Sequence, residues 1–111
     1  MKTISWDDFE AVDIRVGTII KVEDFPEIKN PSYKIWADFG EELWIKKTSA
    51  QITKLYTNEE LIWKQILWVV NFPPKQIGKF MSEFLLTGFA MKDWIVLSDV
   101  ERKVENGSKL I

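Results

Sequence analysis

The segment from Asp13 to Phe25 constrains the fold most, because it alternates with the two-residue period of a β-strand over an unusual length. Ile14, Val16, Thr18, Ile20 and Val22 fall on one face, and Arg15, Gly17, Ile19, Lys21 and Glu23 on the other. A glycine in mid-strand packs nothing and weakens the strand, so Gly17 is expected at a bulge or bend, as in a small barrel.

Shorter elements follow. Ser5 to Val12 reads as a short helix, with Ser5 as N-cap, acidic residues in the first turn, and Trp6 and Phe9 on its apolar face. Tyr33 to Phe39 is a second strand with Tyr33, Ile35, Ala37 and Phe39 inward, and Glu42 to Thr48 returns as a third. Ser49 to Tyr56 is expected to be a helix capped by Ser49, and Asn58-Glu59-Glu60 a turn. Lys64 to Asn71 gives a fourth strand, Gln76 to Phe80 a single helical turn, Ser82 to Gly88 a fifth strand and Trp94 to Ser98 a shorter sixth. Asn106-Gly107 marks a late turn. The expected class is all-β. Five or six short strands with a helix between the third and fourth match the five-stranded Greek-key barrel of the OB-fold, with a short N-terminal helix and a C-terminal extension. Periodicity alone does not choose between this and a small barrel of another topology.

The 111 residues fit one domain, 1–111, and 46% hydrophobic content can build a real core. There is no cysteine and no histidine, which removes disulfides, thiol nucleophiles and every histidine-based triad. No phosphate-binding glycine loop occurs among the five glycines. No enzyme activity, metal or cofactor is expected. No stretch approaches the ~20 apolar residues of a membrane span. The first eight residues carry no apolar signal core, so a cytoplasmic location is expected.

The formal charge is −2, unlike a generic polyanion binder. It is unevenly spread: Trp44 to Ser82 holds six lysines and two glutamates, which is +4, leaving −6 for the rest. Within that window, Asn71 to Ser82 follows an apolar strand and breaks at Pro73-Pro74. The prolines stiffen the backbone, which lowers the entropy cost of binding. Lys75 and Lys79 lie four apart, so one helical turn would place both on one side, and Gly78 permits close backbone approach. Lys46-Lys47 precedes the expected helix start at Ser49, where free amides attract phosphate and Gln51 adds a hydrogen-bonding group. If Ile35 and Ile45 point inward, Lys34, Trp36, Asp38, Trp44 and Lys46 point outward, joined by Arg15. Cations interleaved with tryptophans suit a nucleic-acid face, the rings stacking on unpaired bases. The competing structural reading packs Trp36 and Trp44 under a helix or against a second subunit.

Asp13-Ile14-Arg15-Val16-Gly17-Thr18-Ile19 resembles the opening strand of the tRNA-binding domain family, which includes the domain appended to many methionyl-tRNA synthetases. Phe25-Pro26, Asp38-Phe39-Gly40, Ser49-Ala50-Gln51-Ile52-Thr53 and Val70-Asn71-Phe72-Pro73-Pro74-Lys75 resemble the CsaA family of export-related chaperones in particular. So does Ser82-Glu83 before an apolar strand, where many tRNA-binding relatives read Ser-x-Gly-Met. The resemblance implies an OB-fold homodimer, joined through the N-terminal helix and C-terminal segments. It would bind tRNA by shape, or unfolded or export-bound polypeptides. It carries RNA contacts onto Arg15, Asn71, Lys75, Gly78 and Ser82, with Lys79 beside them and Lys46, Lys47, Gln51 and Lys54 lining the groove. Trp36 and Trp44 are the expected peptide-contacting aromatics. The alternative is a peptide-only chaperone.

Overall fold

The computed structural model describes residues 1–111. Ser5 caps α1 (Trp6–Glu10), its hydroxyl accepting from the Asp8 amide while the Asp8 carboxylate accepts from the Ser5 amide. This reciprocal capping box satisfies two amides that a helix start leaves free. The strands then follow as β1 (Ile14–Asp24), β2 (Tyr33–Asp38) and β3 (Ile45–Ala50). After α2 (Asn58–Leu61) come β4 (Gln65–Val69), β5 (Lys75–Ile77), β6 (Phe80–Ser82), β7 (Leu85–Leu86), β8 (Gly88–Ala90) and β9 (Ile95–Leu97). The main sheet is antiparallel in the order β3-β2-β1-β4-β7. It curls almost shut: the Glu83 amide donates to the Lys47 carbonyl at 2.8 Å, joining the two ends of the sheet. The result is a nearly closed five-stranded barrel of the expected all-β, OB-like class. No helix is long and apolar enough to cross a membrane.

β2 alternates as its sequence dictates, with Tyr33, Ile35 and Ala37 buried and Phe39 beyond them. β1 departs from expectation in two ways. Its bulge lies at Ile20, between the pairs Ile19↔Ala37 and Lys21↔Trp36, and not at Gly17. One extra residue reverses the facing, so Ile19 is buried before the bulge and Val22 packs on the core after it. Gly17 serves a different purpose. The Phe39 ring lies against it, and a Cβ there would stand 2.5 Å from Phe39 Cε1. The glycine lets an aromatic ring cross the barrel where β1 and β4 meet.

The C-terminal extension covers the edge of β1 that β2 leaves free. Gly107 donates to the Val16 carbonyl, Val16 to Ser108, and Leu110 to Ile14, at 2.7, 3.0 and 2.8 Å. Buried Gln65 clamps this tail: its amide nitrogen donates to the Val104 carbonyl at 2.7 Å and its oxygen accepts from the Val104 amide at 3.0 Å.

Three local expectations are corrected. Ser49 and Ala50 do not start a helix; they pair with Lys34 and Tyr33 as the end of β3. The helix comes later, where Thr57 and Glu60 form a capping box. Gln76 to Phe80 is not a helical turn but the β5–β6 hairpin, closed by Gly78-Lys79. Gly78 takes φ 61° while Lys79 stays negative, the pattern of a two-residue hairpin turn with glycine first. Finally, β3 starts at Ile45 and its faces are opposite to expectation: Ile45 is exposed and Thr48 is buried. Trp44 takes φ 64° to close the β2–β3 turn, which shifts the register by one residue.

Candidate nucleic-acid and polypeptide interface

A groove of about 870 Å³ opens between the end of β3 and β7, with the Pro73-Pro74 segment and the start of β5 as its rim. Half of its lining residues are apolar, among them Ile52, Phe84, Leu86 and Ile95. Lys75, Gln51 and Ser82 also line it. The hairpin reaches the barrel through Phe80, which is buried edge-on against Phe25 and Trp36, with centroids 5.6 and 5.9 Å away. Three lysines surround this aromatic cluster: Lys21 lies 4.6 Å from the Trp36 ring, Lys34 4.7 Å from Phe25 and Lys47 5.2 Å from Phe80. Lys46 points the other way, 5.9 Å from Phe84 at the barrel mouth.

Lys46, Lys47, Lys54, Lys75 and Lys79 make no ion pair with any carboxylate, whereas Lys21 and Lys34 pair with Glu23 and Glu27. Unpaired ammonium groups at a groove rim give a local positive potential that the net charge hides. Lys75 stands directly opposite Ser82 on the hairpin, and Gly78 and Lys79 form its tip. Lys54 stands apart, in a second cleft that shares Gln51 with the groove. Lys46 and Lys47 precede no helix, so the expected helix-terminus phosphate site is absent there; they stand on β3, Lys46 by the groove's Phe84 and Lys47 over Phe80 outside it. The two lysines of the hairpin stand at its base and its tip, and no helical turn places them on one side.

Three residues expected at the RNA contact are engaged within the fold. Arg15 donates to Asp13 at 2.7 Å, to the Gly107 carbonyl at 3.1 Å and to Glu42 at 3.5 Å. The Asp13 hydrogen bond raises the guanidinium pKa above its ordinary value, and burial opposes it. Asn71 spans the junction of α1 and β1, donating to the Ala11 carbonyl at 2.7 Å and accepting from the Asp13 amide at 3.0 Å. The Ser82 hydroxyl lies 2.7 Å from that of Thr48 and accepts from the Ser49 amide at 3.3 Å. Trp36 is half-buried under the hairpin, while Trp44 is exposed on the β2–β3 turn, and neither lines the groove. Sequence reasoning missed Phe80 and Phe25 as the anchor of the hairpin. The alternation of Gln76, Ile77, Phe80 and Met81 around Gly78 was the available signal.

The family model described as "Putative tRNA binding domain" matches residues 14–109. The chain belongs to the tRNA-binding domain family. The solved structure of the chaperone CsaA from Bacillus anthracis str. Ames superposes with a TM-score of 0.93 at 40% identity, covering 99% of this chain and 100% of that one. The CsaA chaperone protein of Picrophilus torridus gives 0.92 at 45% identity over 98% and 100%. A MetRS-related protein of Pyrococcus horikoshii gives 0.87 at 27% identity over the whole of both chains. Methionine–tRNA ligase of that organism is 30% identical over 110 residues, which is 99% of this chain but 15% of the ligase. The chain thus spans a small part of the curated ligases it matches. The likeness to the ligases is to a segment of family type, while the likeness to the CsaA structures runs end to end.

Proposed function

We propose that this chain is a non-enzymatic, cytoplasmic CsaA-like protein that works as a homodimer, holding folded tRNA on the basic groove rim and unfolded or export-bound polypeptide in the groove. The carrying observation is that Lys75 lines a half-apolar groove and Lys46 stands by its Phe84 wall, with Lys47 and Lys79 just outside it on the same strand and hairpin, all four free of carboxylate partners. Phosphates meet the ammonium groups, and apolar side chains meet Phe84, Leu86 and Ile95. Gly78 brings the hairpin backbone close to the bound RNA, and Gln51 and Ser82 add hydrogen bonds from the groove wall. Arg15 and Asn71 support this surface by fixing the strands beneath it, and Lys54 extends the basic face. Membership of the tRNA-binding domain family and the end-to-end likeness to CsaA chaperones support both halves of the reading.

The test is tRNA binding against salt for the native chain and for Lys75→Ala/Lys79→Ala. Each lost phosphate contact is expected to flatten the slope of log K against log salt by about one unit, so about two in all. An unchanged slope removes the hairpin from the RNA contact and leaves the peptide-only reading.

The dimer rests on apolar surface that one chain leaves bare. Trp6 on α1 is 66% exposed, and Phe89 and Val96 stand side by side across the β8–β9 hairpin at 62% and 38%. Trp6→Glu/Val96→Glu is expected to shift sedimentation equilibrium from twice the chain mass to the chain mass, since a charge buried in an apolar contact lacks compensation. A persistent dimer would exclude these faces from the contact.

A further inference from the structure

We infer that polypeptide is held in the groove as an added β-strand along the outer edge of β3, at Ser49 and Gln51. This rests on the reading that the groove takes polypeptide, and it specifies how. Backbone groups of a strand face its two neighbours alternately. Lys47 turns its amide and carbonyl away from β2, to the Glu83 carboxylate at 3.2 Å and the Glu83 amide at 2.8 Å. By the same alternation Ser49 faces that way too, and we extend the series to Gln51, one residue past the end of β3. Here the seam opens. The Ser49 amide reaches only the Ser82 hydroxyl, and its carbonyl accepts only from the Thr48 hydroxyl, both at 3.3 Å. Neither backbone group of Gln51 has a hydrogen-bond partner within the chain. All four residues from Thr48 to Gln51 line the groove.

The edge therefore carries an alternating donor and acceptor, repeated every second residue and about 7 Å apart. An extended polypeptide presents the complementary series on one of its own edges, and strand addition is a general way of using it. A phosphate backbone can accept from the amides but offers its phosphates no proton for the carbonyls. The occupant is an extended segment with apolar residues at alternate positions: one set packs on Phe84, Leu86 and Ile95, the other faces Lys75 and solvent. Ser82 acts as a plug, its hydroxyl holding the Ser49 amide until a peptide carbonyl replaces it.

The experiment uses the full chain and a fluorescein-labelled nonapeptide of alternating leucine and serine, plus two analogues. One is N-methylated at the leucine amides and the other at the serine amides, so side chains are unchanged. One analogue is expected to lose about tenfold or more in affinity, with the other within about twofold. Amide hydrogen exchange at Ser49 and Gln51 is expected to slow when the parent peptide binds. Equal affinity of all three peptides, or no binding of the parent while reduced, carboxymethylated lactalbumin still binds, overturns strand addition and leaves the polypeptide reading intact. Failure of both peptide and lactalbumin to bind overturns the two together. Slowing of Ser49 and Gln51 exchange by tRNA and not by the peptide makes this edge an RNA contact and overturns the inference.

Discussion

Phe39→Ala is expected to cost about 3–5 kcal/mol of folding stability, read as a fall in the urea midpoint at an unchanged m-value. Phe39 is 1% exposed and closes the barrel from inside. Its ring stands edge-on to Trp68 and Phe84, with centroids 5.4 and 5.0 Å away, and rests against Gly17 from the third side. Alanine empties the space between all three. Gly17 has no side chain to move in, and the indole of Trp68 is tied by its N–H to the Gly17 carbonyl at 3.3 Å. The cavity cannot collapse easily, which puts the loss at the upper end for a phenylalanine. Against a typical total of about 5–15 kcal/mol, the variant should be marginal at room temperature. A loss below about 1 kcal/mol would mean that the ring does not close the barrel.

The residues around Phe39 also show what could be read in advance. β2 is legible because Tyr33, Ile35, Ala37 and Phe39 fall at every second position, and one buried face admits one register. Ile19-Ile20 hides the bulge, because two adjacent apolar residues fit either facing. The sequence pattern suggests the wrong face for β3 because a tryptophan and not a glycine takes the positive φ that ends the turn, and nothing local marks Trp44 for it. Ser49 reads as a helix cap in isolation, but the ladder to β2 claims it, while Asn58-Glu59-Glu60 reads as a turn although Thr57 and Glu60 cap a helix there.

The site divides in the same way. The place of Lys75, Gly78 and Lys79 after Pro73-Pro74 puts them in one segment, and the structure puts that segment in one hairpin. The internal roles of Asn71 and Ser82 do not show in the sequence, because their partners Asp13 and Thr48 lie 58 and 34 residues away along the chain; Arg15 has Asp13 two residues away, but its further partner Gly107 lies 92 away. A polar residue in a promising loop looks the same in sequence whether its hydrogen bonds go to a ligand or to the barrel. Distant pairing decides, and one sequence does not display it.

Replacing Lys46, Lys47, Lys75 and Lys79 together by glutamine is expected to weaken tRNA binding by about a thousandfold at about 0.1 M salt, if each makes one phosphate contact. The difference should shrink steadily as salt rises, because released counterions supply the affinity and concentrated salt removes that gain. Lys34 is left in place because Glu27 lies 3.8 Å from it and its side chain is only 23% exposed. The fold should tolerate the change: none of the four lysines holds an ion pair, and Lys46 and Lys47 lose ring contacts worth about 0.5–1 kcal/mol each. The salt dependence carries the decision. A deficit that vanishes toward high salt identifies the lysines as phosphate contacts. A deficit equal at every salt concentration would mean that they shape the groove, since packing is indifferent to counterions. Measured on the same variant, affinity for the leucine–serine nonapeptide should change little, because backbone hydrogen bonds to Ser49 and Gln51 and burial on Phe84 and Leu86 do not require these charges. Loss of RNA with retention of peptide would separate the basic rim from the strand edge within one groove.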